Sequence, residues 1–334
     1  MLWVGTYTEK GGRGLYPLEH SNGALTLAAP ETLITNASFA FWSPSTRTAY
    51  FVDEQDEGRV AAWSLVDSTW EPRGTQRTGG SQPCYLSLHP DRTLLAAANY
   101  GDGSLALIEL DPASGRIGDL ADLVRMAGKG PNPERQDGPH AHCALFDERG
   151  ELLFHVDLGL DRVFCHRVEG GRLRDAEVAF EAPPGSGPRH LALHPDGRHA
   201  LLLTELSGEL ILLERRGAEL ELLHSTKTLP EPHEGNLGGH LAVTPDGRVF
   251  VTNRGHDSLV SFSLAHGRLE RCGWVHTGAA SPRHFHLSGG DVLVAHEEGG
   301  GVSRVPVPTA GTSGSGPAQL VPVPGAAFIL DVQV

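Results

Sequence analysis

Histidines and carboxylates at regular positions carry the first chemical signal in this chain of 334 residues. His142, His190, His240 and His284 each open a short apolar run: HCALF, HLALH, HLAVT and HFHL. Two of them directly follow an arginine, Arg189 and Arg283. Asp157, Glu205, Arg254 and Glu297 follow these histidines thirteen to fifteen residues further on. An imidazole titrates near neutrality and can move a proton. A carboxylate can orient that imidazole or share the transfer. Guanidinium forks are fixed cations suited to a carboxylate, a phosphate or a developing oxyanion. The set therefore points to acid–base chemistry on an anionic small molecule, provided the fold brings its members together.

The elements that must do so are repeats. A short apolar run, a turn resembling Pro-Asp-Gly, a second apolar run, a Gly/Asp/Ser turn and a third alternating run recur from Ser38, Cys84, Ala141, Arg189, Gly239 and Arg283. The turn positions Pro44, Pro90, Asp147, Pro195 and Pro245 are spaced 46, 57, 48 and 50 residues apart. Periods of that length, with several short strands each, are the signature of propeller blades. The stretch before each next copy supplies a fourth strand, as in LELLHSTKTL from Leu220 and LERCGWVHTG from Leu269. The two chain ends, LWVGTYTEKGGRGLYPLEH and AAFILDVQV, both read as strands. They are expected to share a seventh blade that closes the ring and hides its edges. The fold class is thus all-β: a seven-bladed β-propeller with four antiparallel strands per blade, formed by residues 1–334 as one domain. GKGPNPERQDGP, residues 128–139, is polar and proline-rich, and is expected to be a long loop between the third and fourth blades.

Superposing the copies on their turn gives two columns. The first holds Phe39, Tyr85, His142, His190, His240 and His284. The second holds Glu54, Tyr100, Asp157, Glu205, Arg254 and Glu297. The start of one strand and the end of its antiparallel neighbour meet at one end of a blade, so both columns are expected on one rim. Glu205 is expected to lie one blade from His142 on that rim.

Competing structural roles exist. His240 and Asp157 are equally suited to tying blades together through buried hydrogen bonds. Arg189 and Glu205 could pair as a bridge across one blade. His155 and His166 alternate with apolar residues as strand-face positions, and His256, in RGHDS, reads as a solvated turn residue. CxxC and HExxH spacings are absent and the arginines oppose a cation, so no metal is expected at the rim, and no cofactor is called for.

Composition narrows the classes. Glycine (42) and proline (23) together make roughly a fifth of the chain, against about 12% on average, so the chain turns often. No apolar window approaches a membrane span. The four cysteines are unpaired in spacing and MLWVGTYTEK has no secretory leader pattern, which together fit a reducing cytoplasm. A net charge of −14 repels nucleic acid and anionic membranes. The expected partner is a small anionic substrate, with the protein a monomer or weak homo-oligomer.

With these residues laid out, the sequence resembles the seven-bladed lactonase family that includes bacterial propeller-type 6-phosphogluconolactonases and fungal carboxy-cis,cis-muconate cyclase. The resemblance runs through VGTYT, QPCYLSLHPD, GPHAHCALF, VDLGLDRV, GPRHLALHPDG, TELSGEL, VTPDGRVFVTNRGHDSL and SPRHF, nearly the whole chain. PHxH, GPRH, a strand ending in Glu-Leu and NRGxDS in that order form its specific part. Two positions depart: Thr204 stands where the family has Asn before the glutamate, and AHEEGG (295–300) replaces an Asn-Gln type ending.

The resemblance implies hydrolysis of a lactone, with 6-phosphogluconolactone of the pentose phosphate pathway as the expected substrate. Such a reaction needs an activated water, an electrophile on the carbonyl oxygen and a proton for the leaving alkoxide. His142 is the candidate general base, with Glu205 orienting it or sharing the proton. Arg189 and Arg254 are the candidate electrophiles. His190, Arg283, His284, Tyr100, Asp157 and His240 are candidate substrate contacts. Two alternatives remain open at this point: a muconate-type lactonising enzyme using the same groups, and a non-catalytic binding propeller. A serine hydrolase is disfavoured because no GxSxG elbow occurs.

Overall fold

The computed structural model describes residues 1–332 except Ser68 and Ser315. Seven four-stranded antiparallel sheets account for the described chain, and among the described residues the only helical turn is the 3₁₀ segment Thr8–Lys10. The sheets fall into two compact units. One comprises Met1–Thr35 with Arg189–Asp331; the other comprises Asn36–Pro188 with Val332.

The first unit holds four sheets. Their strands run Pro188–Leu193 to Glu219–Lys227, Leu237–Val243 to Arg268–His276, and Pro282–Ser288 to Gln319–Pro322, each in sequence order, with a composite fourth. In the composite sheet the C-terminal strand Ala326–Asp331 lies against the N-terminal strand Leu2–Thr6, with Val4 opposite Ile329 and Gly5 opposite Phe328. The expected sharing of one blade by the two chain ends is therefore present; Gln333 and Val334 of the expected closing strand lie outside the described residues. The second unit holds three sheets, beginning at Ala40, Pro83 and Ala141.

Burial explains the strand sequences. Second strands of the sheets are the most fully covered and read as apolar runs. Leu94–Asn99, LLAAAN, is buried at every position, its alanines allowing the neighbouring sheet to approach closely. Fourth strands are mostly exposed and keep only scattered apolar anchors, as in Glu219–Lys227. Within each unit the cores form between adjacent sheets, for example Leu201, Leu203 and Leu212 against Val251, Val260 and Phe262.

The two polar columns sit where strand pairing puts them. The first strand of a sheet begins opposite the end of the second: Ala141 faces Asp157, Leu237 faces Arg254, and Pro282 faces His296. In four sheets the register slips at that point, between Pro83 and Tyr85, Ala141 and Cys143, Gly238 and Leu241, and Pro282 and His284. The residues inside the slip are Cys84, His142, Gly239 with His240, and Arg283. A β-bulge adds a residue to one strand and re-aims its side chain. The polar columns are thus carried on a repeated bulge at the strand start.

Candidate active site

In the first unit Arg189 is the central residue. It is 2% exposed, on a strand whose remaining positions are largely apolar. Its Nε donates to Glu205 Oε2 at 2.9 Å, and one terminal nitrogen donates both to His190 Nε2 at 2.8 Å and to the Gly239 carbonyl. Because the guanidinium can only donate, the His190 nitrogen facing it carries the lone pair. Glu205, itself 2% exposed, takes a second guanidinium on the same oxygen, Arg254 at 2.7 Å. Arg254 also donates to the Gly238 carbonyl at 3.0 Å, while its buried Nε has no acceptor among the described residues.

The Gly238–Gly239 pair makes this convergence possible. A Cβ on Gly238 would lie 2.4 Å from the Thr204 carbonyl oxygen, and one on Gly239 would lie 2.4 Å from Thr252 Oγ1. Only glycine lets these backbones come close enough for their carbonyls to accept from the two arginines. Directly after Glu205, Leu206 and Ser207 line a cavity of about 330 Å³ together with Lys227, Leu229, His233 and Asn236.

Beside Arg189 the first-column histidines stack into a row. His240 meets His190 edge-on with centroids 5.1 Å apart and lies over His284 at 4.2 Å. His284 Nδ1 accepts the Ile329 amide at 3.3 Å. Burial, reinforced by the Arg189 charge, lowers the His240 imidazole to about 3. Burial and the neighbouring His240 push His284 well below its usual value. Both are neutral at physiological pH.

Arg283 belongs to a second charged group. It donates to Glu297 Oε2 at 3.1 Å and its guanidinium lies over the Tyr7 ring at 5.2 Å. Lys10 reaches Glu297 at 2.7 Å and also pairs with Glu298. Burial alone would raise the Glu297 carboxyl, but Arg283 and Lys10 outweigh it and hold the group at about 2. Lys10 and Tyr7 are members that sequence reasoning did not single out. VGTYTEK was recognisable as a strand, but nothing in its spacing marks Lys10 as facing a column in another repeat.

In the second unit His142 is 5% exposed. Its ring meets Tyr100 edge-on at 5.4 Å, and its Nδ1 lies 3.8 Å from the Cys84 thiol. Tyr100 stacks on His140 at 4.7 Å and accepts a 3.4 Å hydrogen bond from Arg135. Arg135 sits on the expected long loop. That loop is fastened by Gln136, whose side chain donates to the Leu158 carbonyl at 2.9 Å and accepts the Asn132 amide at 3.1 Å.

Asp157 is fully buried and uses Oδ1 to accept the amides of His140 at 2.9 Å and Leu160 at 3.0 Å. This is the strand-tying role, and it pins the histidine-bearing segment. Burial raises its carboxyl to about 6 despite those bonds. His155 and His166 stack inside the same sheet at 5.8 Å, lowered by burial to about 3 and about 4. His256 departs from the solvated turn expected of it. It is half-buried, with Nδ1 2.8 Å from Ser258 Oγ and its ring against His233, Trp274 and His276. The flanking strands end close together there and fold the turn inward.

Buried Arg189 and partly buried Arg254 share one carboxylate, with neutral His240 and His284 alongside, on the sheets of a β-propeller. Residues 1–323 match the family described as lactonase, 7-bladed beta-propeller, and the chain belongs to that family. A 6-phosphogluconolactonase of Bacillus subtilis is 30% identical over 311 residues, covering 89% of this chain and 88% of the relative. A 6-phosphogluconolactonase of Formosa agariphila is 29% identical, covering 89% of each. Among solved structures, a periplasmic gluconolactonase of Pseudomonas aeruginosa superposes with a TM-score of 0.89 at 29% identity, covering 98% of both chains. Among the described residues no helix is long and apolar enough to cross a membrane.

Proposed function

We propose that this chain hydrolyses a sugar-acid lactone, with 6-phosphogluconolactone as substrate and 6-phosphogluconate as product. The observation that carries the reading is the Arg189–Glu205–Arg254 cluster, in which Glu205 holds two guanidinium forks on one carboxylate oxygen. In the reaction a water oxygen bonds to the lactone carbonyl carbon and negative charge develops on the carbonyl oxygen. The ring C–O bond then breaks, and a water proton ends on the released hydroxyl. Forks of this kind stabilise both the oxyanion and the product carboxylate. Arg254 Nε, a buried donor without an acceptor, supports a role in receiving such an oxygen. Glu205 positions the arginines, and His142 is the base expected from the sequence. The two relatives named 6-phosphogluconolactonase support the phosphorylated substrate, and a local cationic group offsets the −14 net charge that would otherwise repel it. The same reading places the enzyme in the cytoplasm, where Cys84, Cys143, Cys165 and Cys272 remain thiols.

The test is a rate panel by NMR against the spontaneous blank: freshly made 6-phosphogluconolactone, unphosphorylated gluconolactone and a carboxymuconate. Preference for the phosphorylated lactone supports the proposal. Preference for the unphosphorylated lactone corrects the substrate, and turnover of the muconate alone would replace hydrolysis with lactonisation.

A further inference from the structure

We infer that His194, Asp196 and His199 form a binding site for a divalent first-row transition ion of the zinc or nickel type. The three residues occupy the hairpin between Pro188–Leu193 and His199–Thr204, which closes with a 2.9 Å bond from the His194 amide to the His199 carbonyl. Asp196 Oδ1 accepts the amides of Arg198 at 2.9 Å and His199 at 3.0 Å, which fixes the carboxylate plane. Its Oδ2 is left facing two imidazoles, with His194 Nδ1 at 3.0 Å and His199 Nδ1 at 2.7 Å. One donor atom from each residue lies within 4.8 Å of the others.

The tautomer of His194 is the second, independent observation. Its Nε2 lies 3.3 Å from the Gly247 carbonyl, which can only accept, so Nε2 carries the hydrogen. Nδ1 therefore presents a lone pair, consistent with the Asp196 amide donating to it at 3.3 Å. That leaves Nδ1 available as a ligand nitrogen. An imidazole anchored through its other nitrogen to a backbone carbonyl is also how metal-ligating histidines are oriented.

Comparison with the other turns of this chain isolates what is special. At His89 the same arrangement recurs: Nε2 faces the Gly150 carbonyl at 3.0 Å and Nδ1 faces Asp91 at 2.5 Å. There the remaining approach to the carboxylate is filled by the Thr93 hydroxyl at 2.6 Å. At Thr244 the aspartate, Asp246, is taken by Arg248 at 2.9 Å. The turn thus folds without any ion, and His199 supplies the third ligand in one copy. Zinc bonded to nitrogen and oxygen at about 2.0–2.2 Å separates its ligand atoms by roughly 3.3 Å, so the hairpin needs to open by only a few tenths of an ångström. Two imidazoles and one carboxylate favour zinc, nickel or copper over magnesium or calcium. His194 lies five residues from Arg189, about 16 Å along a strand. The ion therefore clips the hairpin rather than entering the rim chemistry.

The experiment uses tag-free, chelator-dialysed protein, titrated calorimetrically with zinc chloride, nickel chloride and magnesium chloride, with melting curves in parallel. One zinc or nickel ion per chain is expected, with a rise in melting temperature and no response to magnesium. His199→Leu, which places there the residue that closes the His89 turn (Leu94), is expected to melt normally in chelator and to bind zinc roughly tenfold or more weakly. His194→Gln provides the same comparison if His199→Leu misfolds. Absence of stoichiometric binding by the wild type, equal binding of magnesium, or wild-type affinity in both variants would overturn the assignment.

Discussion

Replacing Arg189 with lysine keeps a positive charge and removes the planar fork. The guanidinium now reaches three acceptors, Glu205 Oε2, His190 Nε2 and the Gly239 carbonyl, from a position 2% exposed. A single ammonium on a shorter stem cannot hold the same three directions at once. Glu205 keeps Arg254, so no buried carboxylate is left wholly unpaired and the fold is expected to survive. A hydrogen bond to a charged group contributes about 1.5–3 kcal/mol. Losing the aim of one such bond at the oxyanion lowers kcat/KM by about 10-fold to 100-fold, at 1.36 kcal/mol per decade. The assay is initial-rate lactone hydrolysis corrected for the spontaneous reaction, with a melting curve for each protein. Glu205→Gln and the double variant complete a cycle. Because Glu205 acts through Arg189, the two losses are expected to be less than additive. Wild-type activity in a folded Arg189→Lys protein would show that the residue only ties the blade together.

His142→Asn should lower kcat by about 10²–10⁴-fold with the melting temperature retained, the usual contribution of a general base. The acid limb of the pH–rate profile should vanish with it. Stability should fall steeply on acidification: His155, His166, His240 and His296 are held by burial at about 3 to 4 in the folded protein, against about 6.5 when unfolded. Their contribution is intact above pH 6.5 and is lost as pH falls toward 4, because the unfolded chain takes up those protons first. Asp157, raised to about 6, acts in the opposite sense between pH 4 and 6, but it is one group against four. Urea midpoints at pH 7, 6 and 5 should decline in that order, and a constant midpoint would refute the burial argument. Deleting residues 326–334 removes buried Phe328, Ile329 and Leu330, each contributing about 1.5–3 kcal/mol, and bares the edge of Leu2–Thr6. Insoluble or aggregating protein is expected; a soluble truncation of unchanged melting temperature would contradict it.

The sheets were legible because each blade must bury its middle strands, and that burial imprints the apolar runs and turns at a fixed period. The columns were legible for a related reason: Arg189, Glu205 and Arg254 interrupt runs that are otherwise Leu, Val and Ala. Their wiring was not. The bulges at Cys84, His142 and Arg283 leave no residue signature, and Gly238–Gly239 reads as ordinary turn composition until the close approach to Thr204 and Thr252 is seen. Lys10 and Tyr7 join Arg283 only because the chain ends share a sheet, a contact across nearly the whole sequence. His256 misled because an RGHDS turn is solvated in isolation, whereas here Trp274 and His276 cover it.

The most direct test of the central claim follows 6-phosphogluconolactone by ³¹P NMR immediately after its generation, with no protein, with the wild type, and with the Arg189→Lys, Glu205→Gln double variant verified as folded. The account predicts acceleration well above the blank by the wild type and a return close to the blank rate in the variant. A wild-type rate equal to the blank, or a folded variant as fast as the wild type, would contradict it.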